Sequence, residues 1–119
     1  MLIYNAPGGL MDHEDDLARL GQSLADLAFL ARALSDENRL RILLRIGTDR
    51  LSVTQIAEDL GLSQPLVSHH LKELKRALLV DVERRGPFIH YGISRPEVLD
   101  VLRAVGNLAR RLIANRTSF

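Results

Sequence analysis

A glycine and a proline four residues apart, Gly61 and Pro65, fix what the middle of this chain can fold into. They lie in the run LSVTQIAEDLGLSQPLVSHHLKELKRALLV. Ile56, Ala57 and Leu60 make one apolar face of a short helix that begins near Ser52 or Val53. Gly61 permits the left-handed backbone that a tight turn requires. Leu62 is apolar and fits between the two helices. Ser63 can cap a second helix, and Pro65 falls in its first turn, the one part of a helix that tolerates proline. Helix, short glycine turn, helix is the signature of a helix-turn-helix unit.

At 100° per residue, Val67, Leu71, Leu74 and Leu78 gather within about one quadrant of the second helix and form its core side. The opposite arc carries Pro65, Ser68, His69, Lys72, Lys75 and Arg76, with Gln64 at its edge. It contains no acid, and Glu73 points elsewhere. Hydrogen-bonding side chains near the N-terminus with cations beyond them suit a helix lying in the major groove of DNA. A charged arc alone is more often an ordinary solvated face; the glycine turn in front of it shifts the balance.

The flanking segments read as more helix and one hairpin. Residues 1–11 contain Pro7, Gly8 and Gly9 without periodicity and read as a loose tail. From Asp12, Leu17, Leu20, Leu24, Leu27, Ala31 and Leu34 recur at steps of three and four, one stripe of a single long helix. Asp36 is placed to cap the next helix, with Leu40, Leu43, Leu44 and Ile46 inward and Gly47 as its stop. Val80 and Val82 alternate with Asp81 and Glu83, and Ile89, Tyr91 and Ile93 with Phe88, His90 and Gly92. The alternation predicts two strands around Arg84-Arg85-Gly86-Pro87, a wing whose basic tip would reach phosphate or the adjacent minor groove. With Arg85-Gly86 as the two-residue loop, Asp81 falls opposite His90.

A last helix runs from about Pro96 to Ile113, with Val98, Leu102, Val105, Ala109 and Leu112 on a stripe that Val101, Leu108 and Ile113 widen. The expected architecture is mainly α with a small β-hairpin: a winged helix-turn-helix of about five helices and a two-stranded wing. It would form one domain over 12–113, with a C-terminal tail at 114–119. The first and last helices carry more apolar surface than one winged helix can cover, so they are expected to pair between two copies. Two-fold symmetry would then call for an imperfect inverted repeat in the DNA.

Composition removes other classes. Cysteine is absent, which excludes disulfides, thiolate metal sites and a cysteine nucleophile. No apolar run is long enough to span a membrane and no signal peptide is evident, so a cytoplasmic location is expected. An enzyme is not expected: no nucleophile–base motif, phosphate-cradling glycine loop or paired carboxylates in a cleft can be found. The formal net charge of +1 hides an acidic lead, seven acids against Arg19 and Arg32 through residue 37, followed by a basic body with 14 Lys/Arg against 8 Asp/Glu. Such a split is compatible with a polyanionic partner, as well as with solvated surface.

The segments ALSDENRLRIL, IAEDLGLSQPLVSHHLKELKRALLV and RRGPFIHYGIS, spread over about residues 24–113, together resemble the ArsR/SmtB family of bacterial winged-helix repressors. The resemblance implies a homodimer that binds promoter DNA, represses transcription and releases DNA when a metal or other inducer binds. By motif position Gln64, Ser68 and His69 would contact bases. His70 falls in the family's Ser-x-His-Leu element, although the wheel sets it near the buried border. Thr54, Gln55 and Ser63, together with Lys72, Arg76, Arg84 and Arg85, complete the candidate DNA-binding set.

The chain also departs from the family. Where the helix before the turn often bears a Cys-x-Cys sensor, this sequence has Val53-Thr54-Gln55-Ile56-Ala57, so soft metals lose their preferred ligands. A second common sensor uses Asp and His on the last helix; Asp100 is present, but residues 95–119 contain no histidine. Two candidate positions for a borderline ion such as nickel, cobalt or zinc are left. One is His13 among Asp12, Glu14, Asp15 and Asp16, which also reads as a solvated acidic helix start. The other is His90 with Asp81, which also reads as a cross-strand ion pair or a phosphate contact. The alternative is a repressor without its own sensor site, controlled by a partner protein.

Overall fold

The computed structural model describes the backbone of residues 10–116 and the side chains of residues 14–116. Two compact units divide the chain after Arg32. The first contains α1 (Leu10–Gln22) and nearly all of α2 (Leu24–Ala33). The second contains α3 (Glu37–Ile46), β1 (Arg50–Ser52), α4 (Val53–Leu60), α5 (Gln64–Arg76), β2 (Val80–Arg85), β3 (Phe88–Ile93) and α6 (Pro96–Arg116).

In the first unit the single long helix expected from the leucine stripe is two helices. Ser23 is the cause: its Oγ turns back on the Arg19 carbonyl at 3.1 Å, and its own carbonyl accepts the Leu27 N–H at 2.9 Å, opening the second helix. Of the stripe, Leu17, Leu20, Leu24 and Leu27 are all exposed. Leu10 and Met11, expected in the loose tail, are helical, while the rest of that tail lies outside the described residues.

The second unit is built on caps that the sequence announces. Asp36 accepts the Arg39 N–H at 3.0 Å to open α3, and Gly47, at φ 52°, closes it. Ile42, Leu43, Ile46, Ile56, Val67, Leu71 and Leu74 have no exposed surface and form the core between α3, α4 and α5. Each such side chain stabilises the fold by roughly 1.5–3 kcal/mol relative to exposure. Leu44, expected inward, is 65% exposed, and Ile42 takes the inward place. Arg45 ties α3 to α4 through Asp59 at 2.6 Å, and Arg41 Nη2 donates to the Leu60 carbonyl at the end of α4 at 3.0 Å.

The sheet has three strands rather than two, in the order β1-β3-β2, all antiparallel neighbours. Arg85 pairs with Phe88, so the loop of the hairpin is Gly86-Pro87 and not Arg85-Gly86. Gly86 has φ 61° and the ring of Pro87 fixes a negative φ, the order of signs of a type II′ turn, which needs glycine first. This register sets Asp81 opposite Gly92 and Glu83 opposite His90, which overturns the expected Asp81–His90 pairing.

Leu78, expected in the core, is 79% exposed and stands at φ 62°. It occupies the left-handed position that ends α5: the Leu78 N–H donates to the Lys75 carbonyl at 2.9 Å and the Leu79 N–H to the Leu74 carbonyl at 3.0 Å. This is the Schellman pattern, with leucine where glycine is usual. The last helix runs to Arg116, past the expected end at Ile113, and residues 117–119 of the expected tail lie outside the described residues.

Candidate nucleic-acid interface

Two helices with well-made N-termini carry the candidate interface. Ser52 caps α4 with its hydroxyl on the Gln55 N–H (3.2 Å), and Gln55 Oε1 accepts the Ser52 N–H (2.9 Å), a reciprocal capping box. Gly61, at φ 67°, makes the turn, with the Leu62 N–H on the Ala57 carbonyl at 3.0 Å. Ser63 caps α5 by accepting the Leu66 N–H at 3.2 Å, with Pro65 in the first turn. The hydroxyl of Ser63 and the amide of Gln55 are therefore engaged with backbone, and Thr54 stands exposed beside them. The Ser-x-x-Gln spacing of residues 52–55 was a readable signal for this box.

Helix α5 shows two faces. Val67, Leu71 and Leu74 are fully buried, whereas Gln64, His69, Lys72, Lys75 and Arg76 are exposed and Ser68 is half-buried. Lys72 and Lys75 form no ion pair among the described residues. Arg76 is held by Glu73 at 3.0 Å, so the acid expected to point away does reach this arc. His70 is 5% exposed and faces inward, which removes it from the surface that could touch bases. Its Nε2 lies 3.8 Å from Asp36 Oδ1. Burial pushes the His70 imidazole below its ordinary value and outweighs the attraction of Asp36. The backbone N–H of Arg39, assisted by the charge of His70, holds the Asp36 carboxyl low.

On the wing, Arg84 and Arg85 are both exposed but point to opposite faces of the strand. Arg84 forms no ion pair among the described residues, whereas Arg85 lies 2.9 Å from Glu83. For a metal, the structure gathers little: His90 faces Ser52 and Glu83, and Asp81 is paired with Arg50 at 2.7 Å. Among the described residues no group of three or more His, Asp or Glu is placed to hold an ion. The side chain of His13 lies outside the described residues.

A basic helix face beside a hairpin with a basic tip, on a three-helix core, is the architecture of a winged helix-turn-helix DNA-binding regulator. A family model described as a helix-turn-helix domain matches residues 34–83. The cadmium resistance transcriptional regulatory protein CadC of Listeria innocua is 32% identical over 108 residues, covering 86% of this chain and 91% of its own. Reduced HlyU from Vibrio cholerae, a transcriptional activator, superposes with a TM-score of 0.67 at 30% identity, covering 76% of this chain and 95% of that one. The homodimeric winged helix-turn-helix DNA-binding domain of Mb0332 from Mycobacterium bovis, a possible ArsR-family regulator, gives a TM-score of 0.70 at 28% identity, over 77% of this chain and 85% of that one. The chain belongs to the ArsR/SmtB family of winged helix-turn-helix transcriptional regulators. It is a DNA-binding regulator and not an enzyme.

Proposed function

We propose that the protein is a homodimeric, sequence-specific repressor working in the cytoplasm, which occludes a promoter by binding an imperfect inverted repeat. The observation that carries this reading is the outward face of α5, where Gln64, Ser68 and His69 precede Lys72 and Lys75 while Val67, Leu71 and Leu74 anchor the helix from behind. In this reading Gln64, Ser68 and His69 read base edges, and Lys72, Arg76, Arg84 and Arg85 neutralise phosphates. Thr54 and the N-terminus of α4 lie against the backbone. The dimer is supported by the homodimeric state of the similar Mb0332 domain and by the exposed Val101, Val105, Leu108, Leu112 and Ile113 of α6.

The donor set bears on release. CadC is named for cadmium resistance, but this chain has no cysteine to supply thiolate. A borderline ion such as nickel, cobalt or zinc would depend on His13 and its acidic neighbours, or on His90 without Asp81. This favours a regulator without a metal site of its own, released through a partner protein. One gel-shift series tests the whole reading. Lys72→Ala or Arg84→Ala should weaken binding to operator and random DNA alike and lower the salt slope by about one. Gln64→Ala or Ser68→Ala should cost about 1–3 kcal/mol on the operator and blur sequence choice. The same shifts repeated with nickel, cobalt, zinc and chelator should be unchanged. Equal losses on both DNAs for all four variants would sink the assignment of roles, and metal-dependent release would sink the partner-controlled reading.

A further inference from the structure

The sheet carries a second charge system, on the face opposite buried Leu51 and Val80. Arg50, Gly92 and Asp81 stand in one row, and Ser52, His90 and Glu83 in the next. Gly92 leaves the middle of the first row empty: a Cβ there would lie 2.8 Å from Arg50 Cζ. Through that gap Arg50 crosses β3 to reach Asp81 at 2.7 Å and Glu83 at 3.7 Å on the far strand. Glu83 in turn holds the wing: its Oε1 accepts from Arg85 Nη2 at 2.9 Å and from Arg85 Nε at 3.1 Å. Charge therefore alternates from the body of the sheet to its tip, in the order Asp81, Arg50, Glu83, Arg85.

A guanidinium that gives two N–H groups to a carboxylate cannot give the same two to a phosphate. Glu83 and a DNA phosphate thus compete for one edge of Arg85, while Arg84, on the other face, faces no such competitor. We propose that Glu83 is an intramolecular latch on Arg85 that sets how strongly the wing grips DNA. This rests on the reading that the wing touches the duplex. It adds a residue of opposite charge whose removal strengthens, rather than weakens, the complex. Glu83 is a positioning residue here; it touches Arg85 and not the DNA.

Fluorescence anisotropy with a labelled mixed-sequence duplex at low salt is the appropriate probe, because phosphate affinity does not depend on sequence. Glu83→Gln should tighten binding about two- to fivefold, the range available to an exposed ion pair, and steepen the salt dependence. Glu83→Asp keeps the charge but withdraws it by one methylene from Arg85, and should show part of the same gain. Simple repulsion between an acid and DNA would leave Glu83→Asp unchanged. In an Arg85→Ala background the gain from Glu83→Gln should vanish. A gain that survives intact in that background, or no gain from Glu83→Gln in the wild-type background, overturns the latch. Failure of the wild-type chain to bind the duplex at all overturns the DNA-binding reading instead, so the two failures are distinct.

Discussion

His70 sits on α5 with its ring turned into the interior, and its Nδ1 has no hydrogen-bond partner among the described residues. The charged groups around it are Asp36, the cap of α3, and Arg39 on α3, with His69 and Glu73 on its own helix. Because burial depresses its pKa, the unfolded chain takes up a proton below about 6.5 while the folded chain still refuses it. Stability is therefore full at neutral pH and falls as the pH drops through that window, by at most about 1.4 kcal/mol per pH unit. Urea titrations across that range should show the loss in the wild-type chain and a flatter profile in His70→Gln; identical slopes would refute it. The helical wheel could place His70 near the buried border, because that depends on one helix. Its neighbour Asp36 could not be read, since the contact joins two helices far apart in sequence. The row of Arg50, Gly92 and Asp81 was hidden for the same reason, compounded by a first strand of only three residues, too short to show a period.

At the scale of elements, caps and turns were legible where one residue type does the work. Asp36, Gly47, Ser52, Gly61 and Ser63 all stand where their chemistry suggests. The end of α5 was not legible, because Leu78 continues the spacing of Val67, Leu71 and Leu74 and no glycine marks the stop. A leucine in the left-handed region carries a steric cost of about 1–2 kcal/mol, part of which glycine would return as backbone entropy. Since Leu78 is 79% exposed, little burial is lost on removing its side chain. Leu78→Gly should raise stability by about 1 kcal/mol or less, seen as a higher melting temperature; a lower one would mean that the strain is illusory. The hairpin loop was misplaced by one residue because Arg85-Gly86 and Gly86-Pro87 both look like turns. Only the demand for glycine at the first position of a type II′ loop separates them.

Across the molecule, the buried side chains among the described residues belong to α3, α4, α5, β1 and β2 and to Leu79 between α5 and β2, while α6, 21 residues and about 30 Å long, has none. In the proposed dimer, an apolar stripe of that length on a helix with no buried residue is the surface the second copy covers. Replacing Leu108 and Leu112 together by glutamate should give a folded monomer by analytical ultracentrifugation. Operator affinity should fall by about 10²- to 10⁴-fold as the two half-sites cease to be bound together. A variant that still sediments as a dimer would move the interface elsewhere. The stripe was plain in the sequence, and its excess over what one winged helix can cover already pointed to the first and last helices. Which residues of the other elements would complete the core among themselves was not plain, since that depends on contacts between helices far apart in the chain.

The junction between α5 and the wing bears on how such a regulator can be switched. Leu79 is bonded back to Leu74 at 3.0 Å, Ser94 Oγ donates to the Leu78 carbonyl at 2.7 Å, and the Ser94 N–H donates to the Leu79 carbonyl at 3.0 Å. The exit of the helix, the entry of β2 and the exit of β3 are thus stitched at one spot. In the proposed complex, a movement of the helix would carry the hairpin with it. In the proposed dimer, a signal would then act by setting the pitch and separation of two such reading heads, as one sets the jaws of a calliper.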